Sequence, residues 1–247
     1  MKIALLTDLH ANREALEAVL QHAASAGVER YAVLGDLVGY GADPAWVVDA
    51  IRRLAAAGAI VVQGNHDEAV VRGPRPTMRA EARDAVAWTR SRLSAEQLQF
   101  LAALQLTHTE ADALFVHANA WSPARWDYVD DRASAVRSLR ATTARRTFCG
   151  HVHEPMLYHL SARGKAGDFR PQPDVVIPLP PHRKWLVIPG SVGQPRDNLP
   201  AACYAIYETA QPAVTYHRVP YDHLTAAAKV RAAGLPAILA QWLADGG

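Results

Sequence analysis

Apolar and polar positions along the first half of the chain switch between the period of a strand and that of a helix. Lys2 to Thr7 holds an unbroken apolar run from Ile3 to Leu6 and reads as a buried strand. Asn12 follows as a helix cap, with Ala15, Leu16, Val19, Leu20 and Ala23 spaced along one helix face and Gly27 closing the helix. Tyr31 to Leu34 predicts the next strand. Asp43 as cap with Pro44 at the first helical position predicts a helix reaching Gly58, and Ala59 to Val62 a third strand. Strands alternating with helices over short loops imply a parallel sheet, whose ligand sites lie beyond the carboxyl ends of the strands.

Met78 to Leu93 and Ser94 to Leu104 predict two helices, a helical insertion over about 78–104, the second opened by a capping box from Ser94 to Gln97. Leu114 to Val116 reads as a strand, Arg132 to Ala141 as a helix, and Thr147 to Cys149 as a short strand ending at Gly150. Beyond that point Trp185 to Ile188, Cys203 to Tyr207 and Val214 to Val219 favour strands with little helix between them, which predicts an antiparallel or mixed sheet, and two helices end the chain. Residues 161–183, with Pro171, Pro173, Pro178, Pro180 and Pro181, read as a long irregular surface excursion. Residues 1–247 are expected to form a single domain.

Composition narrows the function classes. Lys and Arg number 26 against 24 Asp and Glu, so the net charge of +2 argues against a protein that tracks nucleic-acid phosphates. Cys149 and Cys203 are the only cysteines and neither sits in a CxxC pair, which excludes a disulfide framework and a cysteine-based zinc finger. The apolar run at Ile3 to Leu6 is too short for a signal peptide, and no stretch approaches the ~20 apolar residues of a membrane span. A cytoplasmic protein without a membrane partner is the expectation.

Five polar clusters fall where strands should end: Asp8 and His10 in TDLHAN, Asp36 in GDLVGYG, Asn65 and His66 in GNHDE, His117 in VHAN, and His151 with His153 in GHVH. A lone strand-end Asp is commonly a turn residue, and a lone His on an apolar strand commonly a satisfied core residue. Together they hold five of the eleven histidines, and Gly35, Gly64 and Gly150 each precede a polar residue where backbone must turn beneath a ligand. Asp, His and Asn donors without thiolate suit manganese or iron, and zinc also fits. Seven donors exceed one tetrahedral site, whereas two ions sharing a carboxylate use them all, and such a pair activates water and neutralises a phosphoryl group. That chemistry is phosphoester hydrolysis.

The succession DLHAN, GDLVGYG, GNHD, VHA, GHVH and PGSVGQPRD resembles the calcineurin-like metallophosphoesterase superfamily, in a bacterial branch that includes diadenosine tetraphosphatases and small phosphodiesterases. The resemblance runs from Met1 to about Asp222 and implies a four-layer αββα sandwich. It implies one divalent ion on Asp8, His10, Asp36 and His153, a second on Asp36, Asn65, His117 and His151, and a bridging hydroxide as nucleophile. His66 would face the leaving oxygen and donate a proton or a hydrogen bond to it. Ala11, Val152 and Ile188 depart from the commoner family residues, and none of them is a ligand. The substrate class is a small phosphomonoester, phosphodiester or dinucleoside polyphosphate. A protein serine/threonine phosphatase, a nuclease, and a metal- or phosphate-binding regulator without turnover are the alternatives.

Secondary positions carry paired readings. Arg196 is a candidate for phosphate binding together with Asn65, or else a structural partner of Asp197. Trp121, Trp126 and Tyr128 could stack a nucleobase or belong to the core. Asn12 and Asn119 are candidates for orienting ligands, and helix capping explains Asn12 equally well. The arginines from Arg125 to Arg146 read as a solvated helix face.

Overall fold

The computed structural model describes residues 1–247. The first half runs β1 (Lys2–Leu6), α1 (Arg13–Ser25), β2 (Arg30–Val33), α2 (Pro44–Ala56), β3 (Ile60–Val61), α3 (Asn65–Arg72), α4 (Ala80–Arg92), α5 (Ala95–Ala103), β4 (Thr107–Glu110) and β5 (Ala113–Val116). After a 3-10 turn at Pro123–Arg125 come α6 (Arg132–Arg140), β6 (Arg146–Phe148), β7 (Met156–Ser161), β8 (Ala166–Phe169), β9 (Val176–Pro178) and β10 (Arg183–Ile188). The chain ends with β11 (Ala201–Glu208), β12 (Ala213–Pro220), α7 (His223–Ala232) and α8 (Ala237–Asp245).

Two six-stranded mixed sheets result, in the orders β3-β2-β1-β11-β12-β9 and β4-β5-β6-β10-β7-β8. The period-two alternation of side chains assigns the layers. Ile3 and Leu5 on β1 point into the space between the sheets, where Phe115, Phe148 and Val187 meet them from the other side. Ala4 and Leu6 point outward, against Leu16 and Val19 of α1 and Val47 and Val48 of α2. On the far face Leu139 of α6 packs against Val116 and Leu186. The layers are therefore helix, sheet, sheet, helix, the predicted αββα arrangement. A fourth apolar cluster joins α7 and α8 to Ala82 and Ala85 of α4 and to Tyr40. No helix is long and apolar enough to cross a membrane.

Several local expectations need correction. Asn65 and His66, expected where the third strand ends, open a helix that the sequence pattern did not predict, α3, as Gly64 lets the chain turn and Asp67 accepts from the Gly64 N–H at 2.9 Å. The segment 161–183 is not irregular throughout. Its first part folds back as a hairpin through Gly164 at φ +80, pairing β8 with β7, and β9 adds to the outside of β12. Pro178 is tolerated there because an edge strand leaves one side without ladder bonds. β4 was not anticipated, since THTE alternates without apolar residues; it is a sheet edge whose exposed side needs none. The helix read from Met78 begins at Ala80, and Asp43 makes no side-chain cap bond because its carboxylate accepts from Lys229 at 2.9 Å.

The inter-sheet cluster is the part of the core on which both sheets depend. Phe148 is fully buried there, with its ring centroid 5.1 Å from that of Phe115. Phe148→Ala is expected to cost about 3–5 kcal/mol of stability. Urea unfolding should show this as a lower midpoint at unchanged slope.

Candidate metal centre

The carboxyl ends of β1, β2, β3, β5 and β6 lie at one end of the sandwich, and each delivers part of the site. β1 to β3 are mutually parallel, as are β5 and β6, so the loops that follow them open in the same direction. Backbone bonds stitch these loops together: Asp8 N–H donates to Gly35 O at 3.1 Å, His10 N–H to Asp36 O at 3.0 Å, and Gly150 N–H to His117 O at 2.7 Å. Asp8, His10, Asp36, His151 and His153 all adopt left-handed backbone, with φ of 54, 45, 53, 72 and 67°. That conformation costs roughly 1 kcal/mol or more per non-glycine residue and persists where surrounding structure holds it. It turns side chains from neighbouring positions toward one point. Gly64 crosses so close to Asp36 that a Cβ there would lie 2.2 Å from the Asp36 backbone nitrogen.

Two donor groups form, Asp8, His10, Asp36 and His153 in one and Asp36, His117 and His151 in the other, each with its ligand atoms within 4.8 Å of one another. Asp36 belongs to both. Its Oδ1 accepts from His66 N–H at 2.8 Å, while Oδ2 lies 3.7 Å from His10 Nε2 and 3.4 Å from His117 Nε2. Asn65 Oδ1 joins the second group, 3.0 Å from His117 Nε2. Asp8 is arranged similarly: Oδ2 accepts from Thr7 Oγ1 and from His151 N–H, and Oδ1 is buried with no hydrogen-bond partner.

The four inward imidazoles are oriented by backbone carbonyls. His10 Nδ1 faces Val38 O at 3.2 Å, His153 Nδ1 faces Gln194 O at 2.6 Å, His117 Nδ1 faces Leu34 O at 2.7 Å and His151 Nε2 faces Trp126 O at 3.0 Å. A carbonyl only accepts, so each of those nitrogens carries the hydrogen and a neutral ring turns a bare lone pair inward. The inward nitrogens meet head to head, His10 Nε2 with His153 Nε2 at 3.2 Å and His117 Nε2 with His151 Nδ1 at 3.1 Å. Lone pairs facing each other beside two buried carboxylates repel unless positive charge lies among them. Together with the orphaned Asp8 Oδ1, this is the arrangement a pair of divalent cations fits.

The protonation states tell the same story. Burial pushes the Asp36 carboxyl up, yet His117, His66 and His10 hold it well below the usual range, and His153 does the same for Asp8 against its burial. Burial lowers His10 well below the ordinary imidazole value, His66 to about 4 and His151 to about 3. His117 goes the other way: burial pulls it down, but Asp36 outweighs burial and raises it to about 9. Without metal, His117 therefore carries the cation that Asp36, Asn65 and His151 require. Burial and the neighbouring Asp36 raise Asp67 to about 7.

His66 belongs to neither donor group. Its ring makes no hydrogen bond, its Nδ1 is buried without a partner, and a Cβ on Gly39 would come within 2.5 Å of that atom. The ring borders a cleft of about 520 Å³ that also includes Asn65, His151, Tyr40, Tyr128 and Arg196. Arg196 does not pair with Asp197, whose carboxylate accepts from Arg218; it reaches only Gln194 Oε1 at 3.3 Å and lies near Tyr40. Tyr128 stacks on His151 at a centroid distance of 4.1 Å, and Trp126 also lines the cleft. Trp121 lies outside it, its N–H on Asp127 and its ring under Arg137.

Asn12 caps α1 through the Ala15 N–H and donates to Gly193 O at 2.8 Å, and Asn119 donates to Asp127 O at 2.9 Å. Both therefore fix loops and touch no metal-donor side chain. Reading of the sequence missed Glu68, which accepts from Trp126 Nε1 at 2.9 Å and from Arg75, and the cleft residues Arg75, Arg79 and Trp242. Glu68 alone of these stands within a motif of the sequence, as the last residue of GNHDE.

The pattern of the calcineurin-like phosphoesterase superfamily domain matches residues 1–212. A Methanocaldococcus jannaschii protein, MJ0912, is 33% identical over 253 residues, which cover 98% of this chain and 96% of that one. A metallophosphoesterase from Sphaerobacter thermophilus superposes with a TM-score of 0.88 at 36% identity, over 100% of this chain and 99% of the other. The protein PH1004 of Pyrococcus horikoshii OT3 shares the fold, with a TM-score of 0.79 at 20% identity over 100% and 98% of the two chains. With the domain pattern spanning most of the sequence and a relative at this identity spanning nearly all of it, the chain belongs to the calcineurin-like phosphoesterase superfamily.

Proposed function

We propose that the chain is a metal-dependent phosphoric ester hydrolase with two divalent ions, one held by Asp8, His10, Asp36 and His153 and the other by Asp36, Asn65, His117 and His151. The observation that carries this reading is Asp36 Oδ2, which lies between the two imidazole groups at 3.7 and 3.4 Å. Oxygen and imidazole donors favour manganese or iron and admit zinc. Ions bound there would polarise a phosphoryl group and make an attacking water more acidic. The substrate class is a small phosphomonoester, phosphodiester or dinucleoside polyphosphate.

The protein's own groups do the rest. Asp36 fixes the spacing of the two sites, and the carbonyl partners of the four imidazoles keep their lone pairs aimed inward. His66, held near 4, is neutral at neutral pH. With Nδ1 shut against Gly39, its Nε2 is the atom that faces the cleft and donates a hydrogen bond to the phosphoryl or leaving oxygen. Arg196 supplies a guanidinium for the remaining phosphoryl oxygens from the opposite loop.

Two outcomes follow. His66→Ala is expected to lower kcat by about 10²- to 10⁴-fold on p-nitrophenyl phosphate or its bis ester with manganese. Metal content of the variant, measured on the same preparation, should match the wild type; equal turnover in both would remove His66 from the chemistry. The second concerns protons. His10 and His151 are already neutral and Asp8 and Asp36 already charged near pH 8, whereas His117, raised to about 9, must give up a proton to become a ligand. Manganese binding by metal-free protein is expected to release about one proton per chain. Its affinity should climb with pH until about 9, the folded value of His117. Calorimetry in buffers of different ionisation enthalpy reads the proton count directly.

A further inference from the structure

The two donor groups are supported differently. In the first, His10 and His153 lean on the carbonyls of Val38 and Gln194; in the second, His117 leans on Leu34, just past β2, and His151 on Trp126. Of these four carbonyls only that of Trp126 belongs to a left-handed residue, at φ 60. A bulky residue in that conformation stands roughly 1–2 kcal/mol above an ordinary one. It relaxes, and its carbonyl swings away, unless the surroundings hold it.

What holds Trp126 is Glu68. The indole is buried, and its N–H donates to Glu68 Oε2 at 2.9 Å. The same ring meets His117 at a steep angle, with the centroids 5.7 Å apart, so one residue touches one donor of the second group while its carbonyl orients another. Glu68 is buried on α3 and is itself fixed: Arg75 donates to Oε2 from Nε at 3.0 Å and from Nη2 at 2.7 Å, and Arg72 lies 3.7 Å from Oε1. Arg75 Nη2 also donates to Ala124 O at 2.8 Å, within the 3-10 turn that leads into Trp126. None of the side chains of Glu68, Arg75 and Trp126 is hydrogen-bonded to Asp8, His10 or His153.

We infer that Glu68 is a positioning residue for one of the two metal positions: through Trp126 it fixes the ring and the tautomer of His151, and leaves the Asp8, His10 and His153 group untouched. The His151 Nε2–H bond to the Trp126 carbonyl keeps the hydrogen on Nε2 and the lone pair on Nδ1, which faces His117. With that carbonyl displaced, the hydrogen is free to move to Nδ1, the atom a cation needs bare. Partners of this kind, one bond removed from a ligand, change metal affinity by about 10- to 100-fold. The inference rests on the two-ion reading for what His151 holds; control of the His151 tautomer stands without it.

Two measurements on the full chain test it, the first without metal. At pH 7, where His151 is neutral, imidazole nitrogen resonances report which ring atom bears the hydrogen. The wild type is expected to show His151 in the Nε2–H form alone, and Glu68→Ala and Trp126→Phe a mixture of both forms, with His10 unchanged. In manganese isotherms from equilibrium dialysis, the same variants should bind one ion as the wild type does and the other about 10- to 100-fold more weakly. Glu68→Gln keeps an oxygen for the indole and should recover most of the loss. Trp126→Phe lies off α3, so its effect cannot arise from a shift of Asn65 along that helix, and it serves equally if Glu68→Ala fails to fold. A single His151 tautomer in every variant, an unchanged isotherm, or both ions weakened alike overturns the inference. A wild type that takes up no second ion, beside variants with mixed His151 tautomers, removes the two-ion reading instead and leaves Glu68 as the residue that orients His151.

Discussion

The structure is organised around a repulsion. Four imidazole lone pairs and two carboxylates are turned toward one another inside a region where Asp8, His10, Asp36, His117 and His153 are almost wholly out of water. In a low-dielectric interior such a gathering is unfavourable unless a positive charge sits at its centre. The metal-free protein meets part of that demand by protonating His117, which Asp36 raises to about 9 against its burial. A single proton serves one of the two groups. The other gathers Asp8, His10 and His153, with His10 Nε2 facing His153 Nε2 at 3.2 Å and His153 Nε2 3.3 Å from Asp8 Oδ1.

Holding this arrangement open is what the surrounding fold is built to do. The left-handed residues that aim the donors carry local strain, and backbone that passes as close as Gly64 does to Asp36 leaves no room to relax it. The strain is sustained because each loop is anchored twice, once by the strand that ends in it and once by bonds to a loop from another strand. Asp8 and His10 are bonded to the β2 loop through Gly35 and Asp36, and Gly150 to His117. The rigid apolar layer between the sheets, with Leu5, Leu34, Phe115 and Phe148, supports all of these strand ends together. A site on a single loop would have collapsed toward pairing its own donors.

How much of this was legible in the sequence depends on where the determining contacts lie. Strands β1 and β2 and the helices that follow them announce themselves because their burial is periodic over short windows, as with Leu16 and Val19 facing Leu6. The donor residues were legible because each directly follows a strand and is polar where the strand is not, so Asp36 stands out after Tyr31 to Leu34. β4 and β9 were not legible, since both are edges that gain their identity from a neighbour, β5 in one case and β12 in the other. The cleft wall was equally silent. Arg79 and Trp242 carry no spacing that relates them, and they share a wall only because α7 and α8 pack on Ala82 and Ala85 of α4.

The cleft and the donor cluster are also mechanically one object. Glu68 Oε2 accepts from Arg75 on the cleft wall and from the indole N–H of Trp126, and the Trp126 carbonyl in turn accepts from His151 Nε2. Trp126 is itself left-handed at φ 60, which is how one residue turns its ring toward Glu68 and its carbonyl toward His151. A strut of two residues, Glu68 and Trp126, therefore runs from the Arg75 guanidinium on the cleft wall to the His151 imidazole in the donor cluster. Glu68 cannot shift toward Arg75 without drawing on Trp126, and Trp126 cannot move without releasing the tautomer of His151. The Arg75 guanidinium and the Trp126 indole that orients His151 thus share a single carboxylate oxygen, and the first turns of α3, which begin with Asn65 and His66, set the position of both.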